Sequence, residues 1–237
     1  MRVKKRRVCV LVPVYNEGPV VRDVLLTTKE VFDDQKKFQI DIVVVNDGST
    51  DTTAAEVEKT GCIVINHVLN SGQGAAILTG LNYALKHDYE IVACMDGDGQ
   101  HLPSDVLKGI IKLQDEDYDF LVGSRMIDSS GMSRVKVIGN TGLTLLTFLL
   151  FGSRSTDSQS GLRVFSRKAV EQLRWKSTGY EFASEMLWRA NQLRLRSADY
   201  PIKAVYTSYS ISRGQNNWNA INIVKTLLKR RIVELFG

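Results

Sequence analysis

Two hydrophobic periods alternate along the first 125 residues of the chain. Short, nearly unbroken apolar runs, "VCVLVPV" (8–14), "IDIVVVN" (40–46), "CIVIN" (62–66), "EIVACM" (90–95) and "FLVGS" (120–124), are separated by segments of helical spacing near 19–34, 51–59, 74–87 and 103–115. A strand that is apolar at nearly every position must be buried on both faces, and a parallel sheet covered by helices on both sides achieves this. The pattern predicts an α/β fold with a Rossmann-like, doubly wound, mostly parallel sheet. Ligands of such sheets collect beyond the carboxyl ends of the strands. Those ends read "PVYNE" (13–17), "NDGST" (46–50), "NSGQGAA" (70–76), "DGDGQH" (96–101) and "GSR" (123–125), so five polar endings converge on one edge.

Beyond residue 125 the pattern loosens. It predicts an apolar helix at about 137–151, the polar stretch "DSQSGLRVFS" (157–166), a helix near 180–194, a strand "YPIKAVYTS" (200–208), a loop "SISRGQNNWN" (210–219) and a final helix. In that last helix Ile221, Val224, Leu228, Ile232 and Leu235 recur at helical spacing while Lys225, Lys229, Arg230 and Arg231 take other positions. The helix is amphipathic and basic, suited either to packing on the domain or to lying on a membrane. There is no internal repeat. Gly, Ser and Asp gather only near 126–134, so the 237 residues read as one domain with two halves, 1–125 and 126–237.

Charge narrows the partners. The formal net charge of +5 equals the contribution of Arg2, Lys4, Lys5, Arg6 and Arg7 alone, which argues against a nucleic-acid surface spread over one face. The two basic ends instead suit an anionic membrane surface. Cys9, Cys62 and Cys94 each lie in an apolar run without a CxxC partner and read as buried, reduced thiols of a cytosolic protein. No leader sequence opens the chain, and the apolar stretch 137–152, interrupted by Asn140 and three threonines, reads as too short and too polar to span a bilayer.

The chemistry concentrates in "CMDGDGQH" (94–101), where Asp96 and Asp98 flank Gly97 at a strand end. Two carboxylates at this spacing can face one hard cation, and Mg2+ or Mn2+ so held keeps positions for water and a substrate's phosphates. An ordinary Asp-Gly turn is the plain alternative. A calcium loop is excluded, because Gln100, His101 and Leu107 occupy the positions that would need a ligand, Gly and Glu. "NSGQGAAI" fits neither a dinucleotide fingerprint nor a Walker loop, since Ile77 stands where Gly is required and no Gly-Lys-Ser/Thr follows. What remains is a Gly-rich helix entry at Gly72 that a ligand can approach closely. No G-x-S-x-G or zinc spacing involves His67, His87 or His101.

In order, "VLVPVYNE", "VVVNDGSTDTT", "NSGQGAAILTGLNYA", "MDGDGQH", "VGSR", "DSQSGLRVF" and "GYEFASEML" resemble family 2 glycosyltransferases of the GT-A fold, in the dolichyl-phosphate mannose synthase-like branch. The resemblance covers nearly the whole chain. It implies that Pro13, Tyr15, Glu17 and Asp47 hold the nucleotide's base and ribose, and that Asp96 and Asp98, with Gly97 between them and Gln100 beyond, organise the metal and diphosphate. Arg125 and Arg134, with Lys136 as the alternative to Arg134, would face the acceptor phosphate; Ser160, Gly161, Arg163 and Glu185 would line the sugar and acceptor side. Arg213 would lie on the loop closing over the donor, although "RGQNNWNAIN" departs there from the "R-x-G-x-S-K" of mannose synthases and leaves the donor open.

The expected activity is inverting transfer of a hexose from a nucleotide sugar, of UDP-glucose or GDP-mannose type, to a polyprenyl phosphate such as undecaprenyl or dolichyl phosphate. A sugar hydroxyl acceptor needs a carboxylate base, whereas a phosphomonoester is largely ionised at neutral pH and needs only positioning and charge screening. No "ED" pair occurs at 157–166, where relatives using hydroxyls place a base, while basic residues occur at 125, 134 and 136. The expected site of action is the cytoplasmic membrane face, reached peripherally through 137–151 and 219–236, with a membrane protein or a second copy as a further partner. The rival readings are extension of a surface polysaccharide from a hydroxyl, nucleotidyl transfer with release of pyrophosphate, and a non-catalytic nucleotide-sugar-binding protein.

Overall fold

The computed structural model describes residues 5–130, 132–152, 155–179, 181–207 and 209. Among these described residues seven strands share one sheet: β1 (Arg6–Val14), β2 (Phe38–Asn46), β3 (Ile63–Asn66), β4 (Ile91–Cys94), β5 (Phe120–Ser124), β6 (Arg163–Ser166) and β7 (Ser197–Pro201). Their order is β3-β2-β1-β4-β6-β5-β7. All pairings are parallel except those of β6, which runs antiparallel to both β4 and β5.

The apolar runs divide by parity. Cys9, Leu11, Val43 and Val45 face one core, with α3 (Gln73–Lys86), α6 (Arg167–Gln172) and α7 (Phe182–Gln192) packed over it. Val8, Val10, Val12 and Val44 face the other, covered by α1 (Val21–Asp33), α2 (Thr53–Glu58) and α4 (Pro103–Asp115). This is the two-faced burial that continuous apolar strands demand. Cys9 and Cys94 are buried and Cys62 half-buried, and all three are free thiols. Burial pushes the Cys9 and Cys94 thiols up.

Three elements differ from the expectation. The strand β6 and the helix α6 emerge from "LRVFS" and the residues after it, where the sequence pattern marks no element. β6 opens on Arg163 directly after a polar stretch and lacks the apolar run that marks the strands of the first half, and α6 follows it without a connecting turn. β7 lies at 197–201 instead of 200–208; it is an edge strand, and Pro201, which cannot donate to a ladder, closes it. Because β6 inserts between β4 and β5, a strand of the second half is built into the sheet of the first.

The expected 137–151 helix is α5 (Arg134–Phe151), begun one turn earlier by Ser133, whose side chain accepts from the Lys136 amide, and ended by Gly152 in the left-handed conformation. With that turn it has 18 residues and is long and apolar enough to cross a membrane by length and composition, which corrects the shorter, non-spanning segment expected at 137–152. Only 17% of it is buried. Leu143 and Phe151 pack on Trp188 of α7, while Val135, Ile138, Leu145, Phe148 and Leu149 are exposed. The C-terminal helix expected at 219–236 lies outside the described residues.

Candidate active site

The sheet opens where β1 parts from β4. Their pairing ends at Leu11 opposite Cys94, whereas β1 and β2 stay paired to Val14 opposite Asn46. The crevice lies at the carboxyl ends of strands whose connections run in opposite directions, the position at which open α/β sheets take ligands. The Asp96–Gly97–Asp98 turn enters it. Gly97 is pressed on β1, where a Cβ would meet Val14 Cγ1 at 2.6 Å. Antiparallel β6 brings its first residue, Arg163, opposite Cys94, so the preceding Gly161 lies directly on the Asp96 carboxylate with no room for a Cβ.

Each aspartate is held by side chains. Gln73 Nε2 donates to Asp96 Oδ1 at 2.9 Å, and His101 Nε2 lies 3.1 Å from Asp96 Oδ2. Gln100 donates to Asp98 twice, through its backbone N–H at 3.0 Å and its side-chain amide at 2.6 Å. Burial disfavours both charges. The His101 hydrogen bond and charge, with Arg125 and Arg163, nevertheless hold Asp96 below the usual carboxylate range. Asp98 is pushed up, by burial first and then by the charge of Asp96. Paired carboxylates that repel each other are a donor set that a divalent cation relieves, so the residues fit one. Among the described residues no three His, Cys, Asp or Glu side chains form a closed cage, leaving the remaining positions to water and phosphate oxygens. Gln100, expected as a ligand, places its amide N–H on Asp98 and orients that carboxylate.

The loops after β1 and β2 are laced together. Asn16, in the left-handed region at φ 55°, accepts from the Thr50 amide and donates its own to Ser49 Oγ; the Glu17 amide donates to Thr53 Oγ1. Pro13 is buried and Tyr15 is 41% exposed. Asp47 is buried and its carboxylate is already engaged: it accepts from the Ser71 and Gly72 amides at 2.9 and 2.8 Å and lies 2.7 Å from His67 Nδ1. Its role in this structure is to clasp the 67–72 loop that leads into α3.

On the other flank, Arg125 Nε and Nη2 donate to the two oxygens of Asp157 at 2.8 and 2.9 Å, and the Arg125 amide adds a third bond to Oδ2 at 3.1 Å. Asp157 is fully buried. Burial disfavours the Arg125 charge, but Asp157 more than compensates and raises its pKa. Beside them Lys136 Nζ stacks 4.0 Å from the Tyr206 ring centroid. Lys136 is exposed; partial desolvation and then the charge of Arg125 lower its pKa. Arg134, one residue after the helix cap, is exposed as well.

Arg163 is enclosed, with Nη2 on the Ser158 carbonyl at 3.1 Å and Nη1 on Met186 Sδ at 3.2 Å; burial lowers its pKa to about 10. Ser160 is buried and its Oγ accepts from the Leu162 amide. Glu185, expected among substrate-lining residues, is buried and accepts from the Lys176 and Ser177 amides and the Ser177 hydroxyl. It anchors the 175–178 loop, a positioning place in the structure. Arg213 lies outside the described residues.

Sequence reasoning missed Gln73, Asp157 and Tyr206. Asp157 and Gln73 stand inside quoted motifs, where the glycines and Arg163 drew the attention; Tyr206 carries no local signal.

The description "Glycosyl transferase family 2" matches residues 9–174. An uncharacterized protein of Methanocaldococcus jannaschii is 40% identical over 97% of this chain and 94% of its own length. The UDP-N-acetylglucosamine–dolichyl-phosphate N-acetylglucosaminyltransferase of Methanococcus voltae is 36% identical over 92% of this chain and 93% of its own. Glucosyl-3-phosphoglycerate synthase of Mycobacterium tuberculosis, solved with Mn2+, UDP and glucosyl-3-phosphoglycerate, shares the fold with a TM-score of 0.73 at 18% identity, covering 95% of this chain and 80% of that one. Matched over most of its length and carrying paired aspartates at the switch point of the sheet, the chain belongs to glycosyl transferase family 2.

Proposed function

We propose that the protein transfers a sugar from a nucleotide donor to a polyprenyl phosphate at the cytoplasmic face of a membrane. The observation that carries this reading is the Arg125–Asp157 pair. Asp157 is the carboxylate of the 157–166 segment; it is fully buried and both its oxygens are bonded to the guanidinium of Arg125, whose side chain stays 17% exposed. A carboxylate so held is a poor base for a sugar hydroxyl. Of the five N–H donors of a guanidinium, Asp157 takes two, and the remaining edge of Arg125 is suited to phosphate oxygens. Lys136, near Arg125, adds charge screening.

The donor would lie along the crevice, its base and ribose against the laced loops after β1 and β2 and its diphosphate at Asp96 and Asp98. A Mg2+ or Mn2+ ion held there, when bound, supplies neutralisation of the charge that develops on the leaving diphosphate. Gln100 and His101 keep the two carboxylates oriented, and Arg125 holds the acceptor phosphate as an ionised nucleophile. The name of the Methanococcus voltae relative supports a uridine donor and a dolichyl-type acceptor and adds an N-acetylhexosamine to the UDP-glucose and GDP-mannose types expected from the sequence.

The exposed apolar side of α5 supports peripheral attachment, which would bring the site to the depth where a lipid phosphate emerges. The test is transfer of radiolabelled sugar from a panel of UDP- and GDP-sugars into membranes: label extracted into organic solvent is expected, and label on soluble saccharide or release of pyrophosphate overturns the proposal.

A further inference from the structure

The first turn of α3 is clamped from outside the crevice. Gly72, at φ 92°, lies against the Thr178 carbonyl and Gly74 against that of Ser177, both too close for a side chain. The Gly74 amide donates to Thr178 O at 3.1 Å, and Trp175 Nε1 donates to Gly74 O at 3.1 Å. The clamping loop is itself tied down by Glu185 through the Lys176 and Ser177 amides. Between the two pinned glycines stands Gln73, and its amide reaches Asp96 Oδ1.

We infer that Gln73 is a positioning residue for the donor site: pinned between Gly72 and Gly74 by the 175–178 loop, its amide N–H holds the Asp96 carboxylate in the orientation that takes the cation and diphosphate. His101 holds the other oxygen and Gly161 closes the third side, so Asp96 has one orientation open to it. An amide is suited to this task because it donates without adding charge beside two carboxylates already in repulsion. The inference rests on the metal reading of Asp96 and Asp98, and the experiment separates the two.

The test is a titration of Mn2+ followed by electron paramagnetic resonance, with uridine diphosphate and in parallel guanosine diphosphate, on wild type, Gln73→Met, Gln73→Asn and Asp98→Ala. Groups that orient metal ligands change affinity by about 10- to 100-fold when removed. Gln73→Met keeps the volume without the donor, and Gln73→Asn withdraws the amide by one methylene; both are expected to weaken Mn2+ uptake in that range and to raise the KM for the donor with that for the acceptor unchanged. A residue that only fills space would tolerate Met. If both Gln73 variants bind Mn2+ within twofold of wild type while Asp98→Ala does not, Gln73 has no such role and the metal reading stands. Should Asp98→Ala also bind as wild type, both fall.

Discussion

Arg125 and Asp157 form a two-pronged ion pair with three hydrogen bonds, one guanidinium edge and one backbone amide on a single buried carboxylate. Removing one partner of such a pair leaves an uncompensated charge and destabilises by about 3–5 kcal/mol, whereas replacing both with apolar groups is often neutral. Asp157→Asn is therefore expected to lower stability and to raise the KM for the acceptor by at least tenfold. The double variant Arg125→Met/Asp157→Leu is expected to regain stability and to stay inactive. Urea unfolding and acceptor kinetics on the three proteins check this; activity in the double variant would show that Arg125 does not touch the acceptor.

Gly161 has no room for a methyl group because of the Asp96 carboxylate. Gly161→Ala must turn that carboxylate off Gln73 and His101 or push β6 away from β4. Overpacking of this kind costs about 1–3 kcal/mol. The expected result is a donor kcat/KM reduced by about 100-fold with a folded protein, read by circular dichroism and initial rates. Wild-type rates would mean that the orientation of Asp96 is irrelevant to turnover.

The first five strands and the first four helices were legible because apolar runs and helical segments alternate there in a regular order, and one-residue parity sorts the strand side chains onto two cores. β6 was not, since it opens on Arg163 at the end of a polar stretch outside that alternation, and its antiparallel insertion is decided by contacts with β4 and β5 far along the chain. The same distinction divides the site. Asp96 and Asp98 announce themselves as neighbours at a strand end. Asp157 and Gln73 acquire meaning only through partners 32 and 23 residues away, and Asp47, Gln100 and Glu185 prove to spend their side chains on protein atoms.

Acid stability offers a test remote from the crevice. Burial opposes the charge of Asp119, but the Lys168 ammonium at 2.8 Å and the Arg196 amide at 2.9 Å hold its folded pKa below the usual value. A depressed carboxylate stabilises the fold above its unfolded pKa, about 3.9, and loses that contribution as pH falls through the folded value. Asp119→Asn is expected to be less stable than wild type at pH 7, with the gap closing below about pH 4. Urea midpoints that differ equally at pH 7 and pH 3 would refute the assignment.

The proposed membrane attachment is open to a direct measurement because the two sides of α5 are opposed. Leu143, Thr147 and Phe151 are buried at four-residue intervals, whereas Val135, Ile138, Leu145 and Leu149 recur at spacings of 3, 7 and 4 on the other side, all more than half exposed. Among the described residues nothing covers that second stripe, and water disfavours it. Changing those four residues to Ser is expected to leave stability within about 0.5 kcal/mol per site, as for other exposed positions. The same change should reduce sedimentation with polyprenyl-phosphate-containing vesicles by about tenfold or more, since each exposed aliphatic side chain contributes on the order of 1 kcal/mol when it leaves water. Turnover of a short, water-soluble polyprenyl phosphate should survive the same change, because none of the four residues touches Arg125, Asp96 or Asp98. Unchanged vesicle binding would move the anchor away from α5, and loss of turnover with the soluble acceptor would make the stripe part of the site itself.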